Sequence, residues 1–212
     1  MPQIVDLTAD MYDGAPAFPT DPKLSISWHC TLDTADYNLS VVKMSTHQGT
    51  HIDAPLHMIE DGEAIDQIPL DRLIVRAVKA DLTYKKPRER IAIKDLLPFE
   101  KHIDAGLSVL IDTGWANMYP KEEFFTDHPC ITPELAGWFA EKRVGIVGMD
   151  MPSPAAEDWK SVHVAMLSKG TLIVEGLANL DKLGGEPFTF FAIPLRLRQR
   201  DGSPIRAFAM LD

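Results

Sequence analysis

The chain has 212 residues, 45% hydrophobic and 25% charged, with a net charge of −10, which is ordinary globular composition and enough for one sizeable core, so one domain over residues 1–212 is expected. The acidic balance, with no basic cluster larger than Lys85-Lys86-Pro87-Arg88, argues against a nucleic-acid or anionic-membrane surface. No stretch reaches the ~20 apolar residues of a membrane span, and the start Met1-Pro2-Gln3-Ile4-Val5-Asp6 has no signal-peptide character, so a cytoplasmic protein is expected.

Strand signals dominate the first half. Gln3 to Leu7, Leu24 to Thr31 and Asn38 to Met44 alternate or carry β-branched residues, separated by the Pro- and Gly-rich stretch from Gly14 to Pro22. Ile74 to Leu82 and Leu107 to Asp112 read as further strands, the second stopping at Thr113-Gly114. In the second half, Thr132, Pro133 and Glu134 supply a cap, a first position and an acidic first turn for a helix through Arg143. A buried strand follows from Val144 to Met149. A second helix is expected from about Trp159 to Ser168, stopping at Gly170 and feeding the apolar strand Thr171 to Val174 and Glu175. Phe188 to Leu197, the turn Asp201-Gly202-Ser203 and Ile205 to Met210 read as a closing hairpin. Many strands with few helices imply an α/β or α+β fold with a barrel-like sheet.

The third strand runs into His47-Gln48-Gly49-Thr50-His51-Ile52-Asp53-Ala54-Pro55-Leu56-His57, which holds three imidazoles and a carboxylate. In an extended backbone these odd-numbered side chains share one face. At ~3.3 Å per residue, however, His47 and His51 would lie about 13 Å apart and His47 and His57 about 33 Å, whereas zinc ligands sit ~2.0–2.2 Å from the ion. The chain must curl between His47 and His51, and Gly49 is where curling costs least. His47, His51 and Asp53 are therefore expected as ligands. His57, too far along to join them easily, is expected to serve the same pocket as an acid or base, or behind the ligands.

Two anomalies lie downstream. His163 sits on the otherwise apolar helical stretch Ser161 to Leu167, and Glu175 ends an apolar strand. A helix stopping at Gly170 and reversing into a strand can bring the two together, since ~10 Å of helix is matched by ~16 Å of returning strand. A buried carboxylate is costly unless paired or bound to metal. His163 and Glu175 would complete sites for two ions if Asp53 bridges them. Cys30 and Cys130 belong to no CxxC pair and read as buried thiols. His29, His102 and His128 have no partner pattern, Trp115, Trp138 and Trp159 read as packing groups, and Ser153 lies in no nucleophile elbow.

The run resembles the signature H-x-G-T-H-x-D-x-P-x-H of the cyclase family of metal-dependent hydrolases, which includes bacterial kynurenine formamidase and isatin hydrolase; it is met in full by His47, Gly49, Thr50, His51, Asp53, Pro55 and His57. Asp112-Thr113-Gly114-Trp115, Gly148 to Ser153 and Val174 to Leu180 are also similar, so the resemblance spans nearly the whole chain. It implies a mixed, barrel-like β sheet flanked by helices, of the swivelling β/β/α type, and a homo-oligomer (dimer or tetramer). It implies metal ligation by His47, His51, Asp53, His163 and Glu175, proton transfer by His57, and one or two Zn2+ ions, with Mn2+ the alternative. The family's aromatic-Pro-Gly-Asp segment reads Phe18-Pro19-Thr20-Asp21 here, which makes Phe18 the expected substrate contact and leaves the aromatic substrate open.

The expected chemistry is hydrolysis of an amide C–N bond in a small molecule, an aryl formamide such as N-formylkynurenine first, by hydroxide generated at the metal. A cyclic amide or lactone such as isatin is the alternative substrate. A non-catalytic metal-binding protein is the reading from another class.

Overall fold

The computed structural model describes residues 2–103 and 107–211. Four strands at the centre, Ile74–Asp81, Ser108–Asp112, Ile146–Met149 and Leu172–Glu175, run parallel to one another. Their last three are buried along their whole length, as parallel strands covered on both faces must be, and this is why their sequences are continuous apolar runs. Alternation sorts the side chains. Val109, Ile111 and Ile173 enter one core with the helices, and Leu110, Leu172 and Val174 enter a second on the opposite face.

The helices Pro133–Glu141 and Trp159–Leu167 pack on the first face. Thr132 caps the former by accepting from Leu135 N–H at 3.2 Å. That helix closes at Glu141, short of Arg143, which takes a left-handed φ of +55°. Gly170, at φ +84°, makes the turn from the second helix into its strand.

Antiparallel strands extend the sheet on both sides to nine, in the order Gln3–Asp6, Phe208–Leu211, Phe188–Phe191, Ile74–Asp81, Ser108–Asp112, Ile146–Met149, Leu172–Glu175, His51–Asp53, Gly202–Pro204. The sheet curls on itself. Beyond the first edge strand, Thr8 bridges to Leu177, and Ala178 N–H donates to Leu7 O at 2.9 Å. The expected mixed, barrel-like sheet flanked by helices is therefore observed. No described helix is long and apolar enough to cross a membrane.

The closing hairpin differs from expectation. Phe188–Phe191 does pair antiparallel with Phe208–Leu211, but Gly202–Pro204 is not the turn between them. It leaves for the far edge of the sheet and pairs with His51–Asp53. The Asp-Gly pair that signals a hairpin locally is overridden by the open edge of that strand.

Candidate metal centre

The strand His51–Asp53 is held from both sides. Glu175 lies directly opposite His51 on one neighbour, and Gly202 opposite Asp53 on the other. Because His51 and Asp53 are two residues apart, they present to the same face as Glu175. His47 stands in the preceding turn, which Gly49 allows with φ +63°. His163 reaches the group from the helix above.

His51 Nε2 lies 3.3 Å from Glu175 Oε2 and 3.5 Å from Asp53 Oδ1. His163 Nε2 lies 3.3 Å from Glu175 Oε1 and 3.7 Å from Asp53 Oδ2. His47 Nδ1 lies 2.8 Å from Asp53 Oδ1. All five expected ligands thus converge on one place, with Asp53 at its centre and 1% exposed. Two triads have donor atoms within 4.8 Å of one another: His51, Asp53 and Glu175, and His47, Asp53 and His57.

His57 is nearer than an extended chain allows. Pro55 opens a single 3₁₀ turn, Pro55–His57, which folds the ring back to 4.0 Å from that of His47, centroid to centroid. The expectation that distance along the chain keeps His57 apart is corrected by that turn. Its side chain, at 24%, is more exposed than those of His51 and His163, at 5% and 6%.

The outer ring nitrogens show how the histidines are aimed. His51 Nδ1–H donates to Gly49 O at 2.9 Å, and His163 Nδ1–H donates to Trp159 O at 2.6 Å. His47 Nε2–H donates to Asp201 Oδ2 at 2.6 Å. Each remaining nitrogen faces a carboxylate oxygen, a contact that either a ring proton or a shared cation satisfies. Asp53 Oδ2 is buried without a hydrogen-bond partner among the described residues. An orphaned carboxylate oxygen amid imidazole nitrogens fits a divalent metal.

The protonation balance agrees. Burial alone would lower the pKa of His47, yet the charge of Asp53 and hydrogen bonds to Asp201 and Asp53 raise it to about 10. Burial likewise opposes charge on His51 and His163, and is outweighed, chiefly by Glu175. Asp53 and Glu175 are held below the ordinary carboxylate range despite burial, Asp53 mainly by His47. The cluster thus favours positive charge on its imidazoles beside ionised carboxylates, the electrostatics that a divalent cation would also satisfy.

The centre opens into a cavity of about 460 Å³. Its lining includes His47, Gly49 and His51 from the centre, the aromatic side chains Phe18, Tyr119, Phe124 and Phe125, and the polar residues Asp10 and Asn179. Phe18 is half-exposed and packs edge-on against Phe125 at 6.3 Å. His57 is not among the described residues that line it.

Gly202 is required by this packing. A Cβ there would stand 2.7 Å from Ile52 O and 3.0 Å from His47 Cε1, so neither backbone nor ligand ring can yield without moving the site. Gly202→Ala is expected to destabilise the fold by about 1–3 kcal/mol in urea denaturation, and to weaken metal binding. Unchanged stability and affinity would mean that the strand is loosely held.

The model of the family described as Putative cyclase matches residues 5–156. The chain belongs to this cyclase family. A kynurenine formamidase of Geobacillus thermodenitrificans is 32% identical over 209 residues, covering 96% of this chain and 95% of that protein. A structure described as a predicted metal-dependent hydrolase from Bacillus stearothermophilus superposes with a TM-score of 0.83 at 28% identity, covering 99% of this chain and 98% of that one. An isatin hydrolase A from Labrenzia aggregata, at 23% identity, shares the fold with a TM-score of 0.90 over 99% of this chain and 94% of that one. This cyclase-family chain is a metal-dependent hydrolase, and the convergence around Asp53 is its candidate divalent-metal site.

Asp201 is the site residue that sequence reasoning missed. It carries no metal-binding motif, and Asp201-Gly202-Ser203 reads as a turn. Its one sequence signal is an acid beside a glycine that the turn does not need.

Proposed function

We propose that this chain hydrolyses the C–N bond of an aryl formamide, N-formylkynurenine or a close analogue, at a centre held by His47, His51, Asp53, His163 and Glu175. The observation that carries the reading is the aromatic-lined cavity that His47 and His51 share with Phe18, Tyr119, Phe124 and Phe125. A benzene ring packs against these aromatic side chains with its formamide toward His47 and His51. Asp10 and Asn179, which line the same cavity, offer acceptors to the ammonium group of an amino-acid side arm, which isatin lacks.

A bound divalent ion supplies Lewis-acid polarisation and a water whose pKa falls to about 7. The chain's own residues do the rest. Asp53 and Glu175 hold the three ligating imidazoles in register, and the aromatic walls exclude bulk water. His57 takes a proton from the attacking water and returns it to the leaving nitrogen through one solvent molecule. Zinc is the ion proposed, with manganese the alternative, since nitrogen and carboxylate ligands serve both. A cytoplasmic homo-oligomer, dimer or tetramer, is part of the same reading. The separate hairpin of Ser25–Cys30 and Leu39–Lys43, with Trp28, Val41 and Val42 exposed, supports self-association.

The test is a screen of N-formylkynurenine, simple aryl formamides and isatin, under zinc and then manganese, with metal analysis of the purified protein. At least one equivalent of metal per chain is expected, with kcat/KM for the formylated aryl amine at least about tenfold above that for isatin. Under half an equivalent after mild preparation would sink the hydrolase centre, and faster turnover of isatin would sink the substrate assignment.

A further inference from the structure

The strand Gly202–Pro204 brings a carboxylate to the edge of the centre. Asp201 Oδ2 accepts the His47 Nε2–H hydrogen bond at 2.6 Å and stands 3.5 Å from His57 Nδ1. The carboxylate is itself held. Thr46 Oγ1 donates to Asp201 Oδ1 at 3.1 Å, and Ala54 N–H donates to the Asp201 carbonyl at 2.9 Å. Residue 201 is thereby tied both to the residue before His47 and to the residue after Asp53. With the His47 and His57 rings 4.0 Å apart and tilted by 39°, one oxygen reaches both.

A metal-ligating imidazole works through one ring nitrogen, and the acceptor on the other nitrogen selects which. His51 and His163 are aimed by backbone carbonyls, those of Gly49 and Trp159. His47 is aimed by a side chain. We infer that Asp201 is a positioning residue of the hydrolytic centre: it fixes His47 with its proton on Nε2 and Nδ1 toward Asp53, and it anchors His57 through Nδ1. The inference rests on the proposed roles of His47 as ligand and His57 as proton carrier. A carboxylate in this place does more than a carbonyl, because its charge also strengthens the imidazole as a ligand. Asp201 is not among the described residues lining the cavity, whereas His47, to which it is hydrogen-bonded, is.

Asp201→Ala and Asp201→Asn in the full chain separate this role from others. Zinc affinity, read by competition with a chromophoric chelator, is expected to fall about 10–100-fold in Asp201→Ala. Asp201→Asn keeps an acceptor for the His47 proton and recovers a large part of that loss. With whichever formamide the parent turns over, kcat falls about 10–100-fold in Asp201→Ala while KM stays within about threefold. Long-range 1H–15N spectra of the zinc-loaded parent should show His47 protonated at Nε2, and a mixture of tautomers in Asp201→Ala.

Several results overturn the assignment. Asp201→Ala with the parent's zinc affinity and tautomer would do so. Loss of zinc in Asp201→Asn as complete as in Asp201→Ala would make Asp201 a ligand, and a parent His47 protonated at Nδ1 would reverse the proposed aim. If Asp201→Ala fails to fold, the affinity and tautomer of Asp201→Asn decide. The zinc and tautomer measurements need no substrate, so a parent inactive on formamides refutes the substrate reading and leaves the role of Asp201 to be judged separately.

Discussion

Asp53→Asn is expected to remove activity below detection and to lower divalent-metal affinity by more than about a thousandfold, roughly 4 kcal/mol. The carboxylate belongs to both candidate triads, and its two oxygens face His47, His51 and His163. Asparagine keeps the shape, so the far-UV circular dichroism should not change. What disappears is the charge that faces three imidazoles, and the second carboxylate oxygen that reaches His163. The clearest measurement is thermal. At a metal concentration about 100 times its dissociation constant, the parent gains about 2.7 kcal/mol, or roughly 5–10 °C in midpoint for a chain of this size. The variant at the same concentration should shift by less than about 1 °C. Affinity retained within tenfold would place the ion elsewhere.

His57→Ala separates chemistry from binding. With its ring on a separate 3₁₀ turn and partly open to solvent, His57 should be removable with metal retained. Loss of a general acid or base costs about 10²–10⁴-fold in kcat, and KM should stay within a few-fold because the ring does not line the cavity. The variant should hold as much metal as the parent. The structure makes the opposite outcome specific: His57, His47 and Asp53 have donor atoms close enough to share an ion. A variant that loses one equivalent of metal along with activity would make His57 a ligand and leave the proton transfer to another group.

The site was legible where local pattern and tertiary geometry agree. Alternation along His51-Ile52-Asp53 placed two side chains on one face, and an isolated glutamate at the end of an apolar strand marked Glu175; these prove to be cross-strand neighbours of one sheet. His163 and Glu175 were predicted to meet because a glycine-ended helix must return along its strand, and they do, at 3.3 Å. His57 lies in the pocket where it was expected, but closer to His47 than the extended-chain distance suggests, because that distance is an upper bound and a proline-led turn shortens it. Asp201 was invisible because Asp-Gly is a strong turn signal, while the edge that recruits this segment is made by His51–Asp53, about 150 positions earlier. The order of the nine strands was also beyond reach. Periodicity identifies strands, but pairing partners are chosen by which edges remain open after the parallel centre has formed.

That separation has a consequence for how the protein is made. Among the described residues, the strand bearing His51 and Asp53 pairs with segments 173–175 and 202–204, both of which leave the ribosome long after it. At ~5–20 residues per second, the 154 positions between His47 and Asp201 correspond to roughly 8–30 s of synthesis. Throughout that interval the histidine run lacks the carboxylate that accepts from His47 and the strand that covers its outer edge. The geometry of the centre is therefore complete only once Gly202–Pro204 has paired with His51–Asp53.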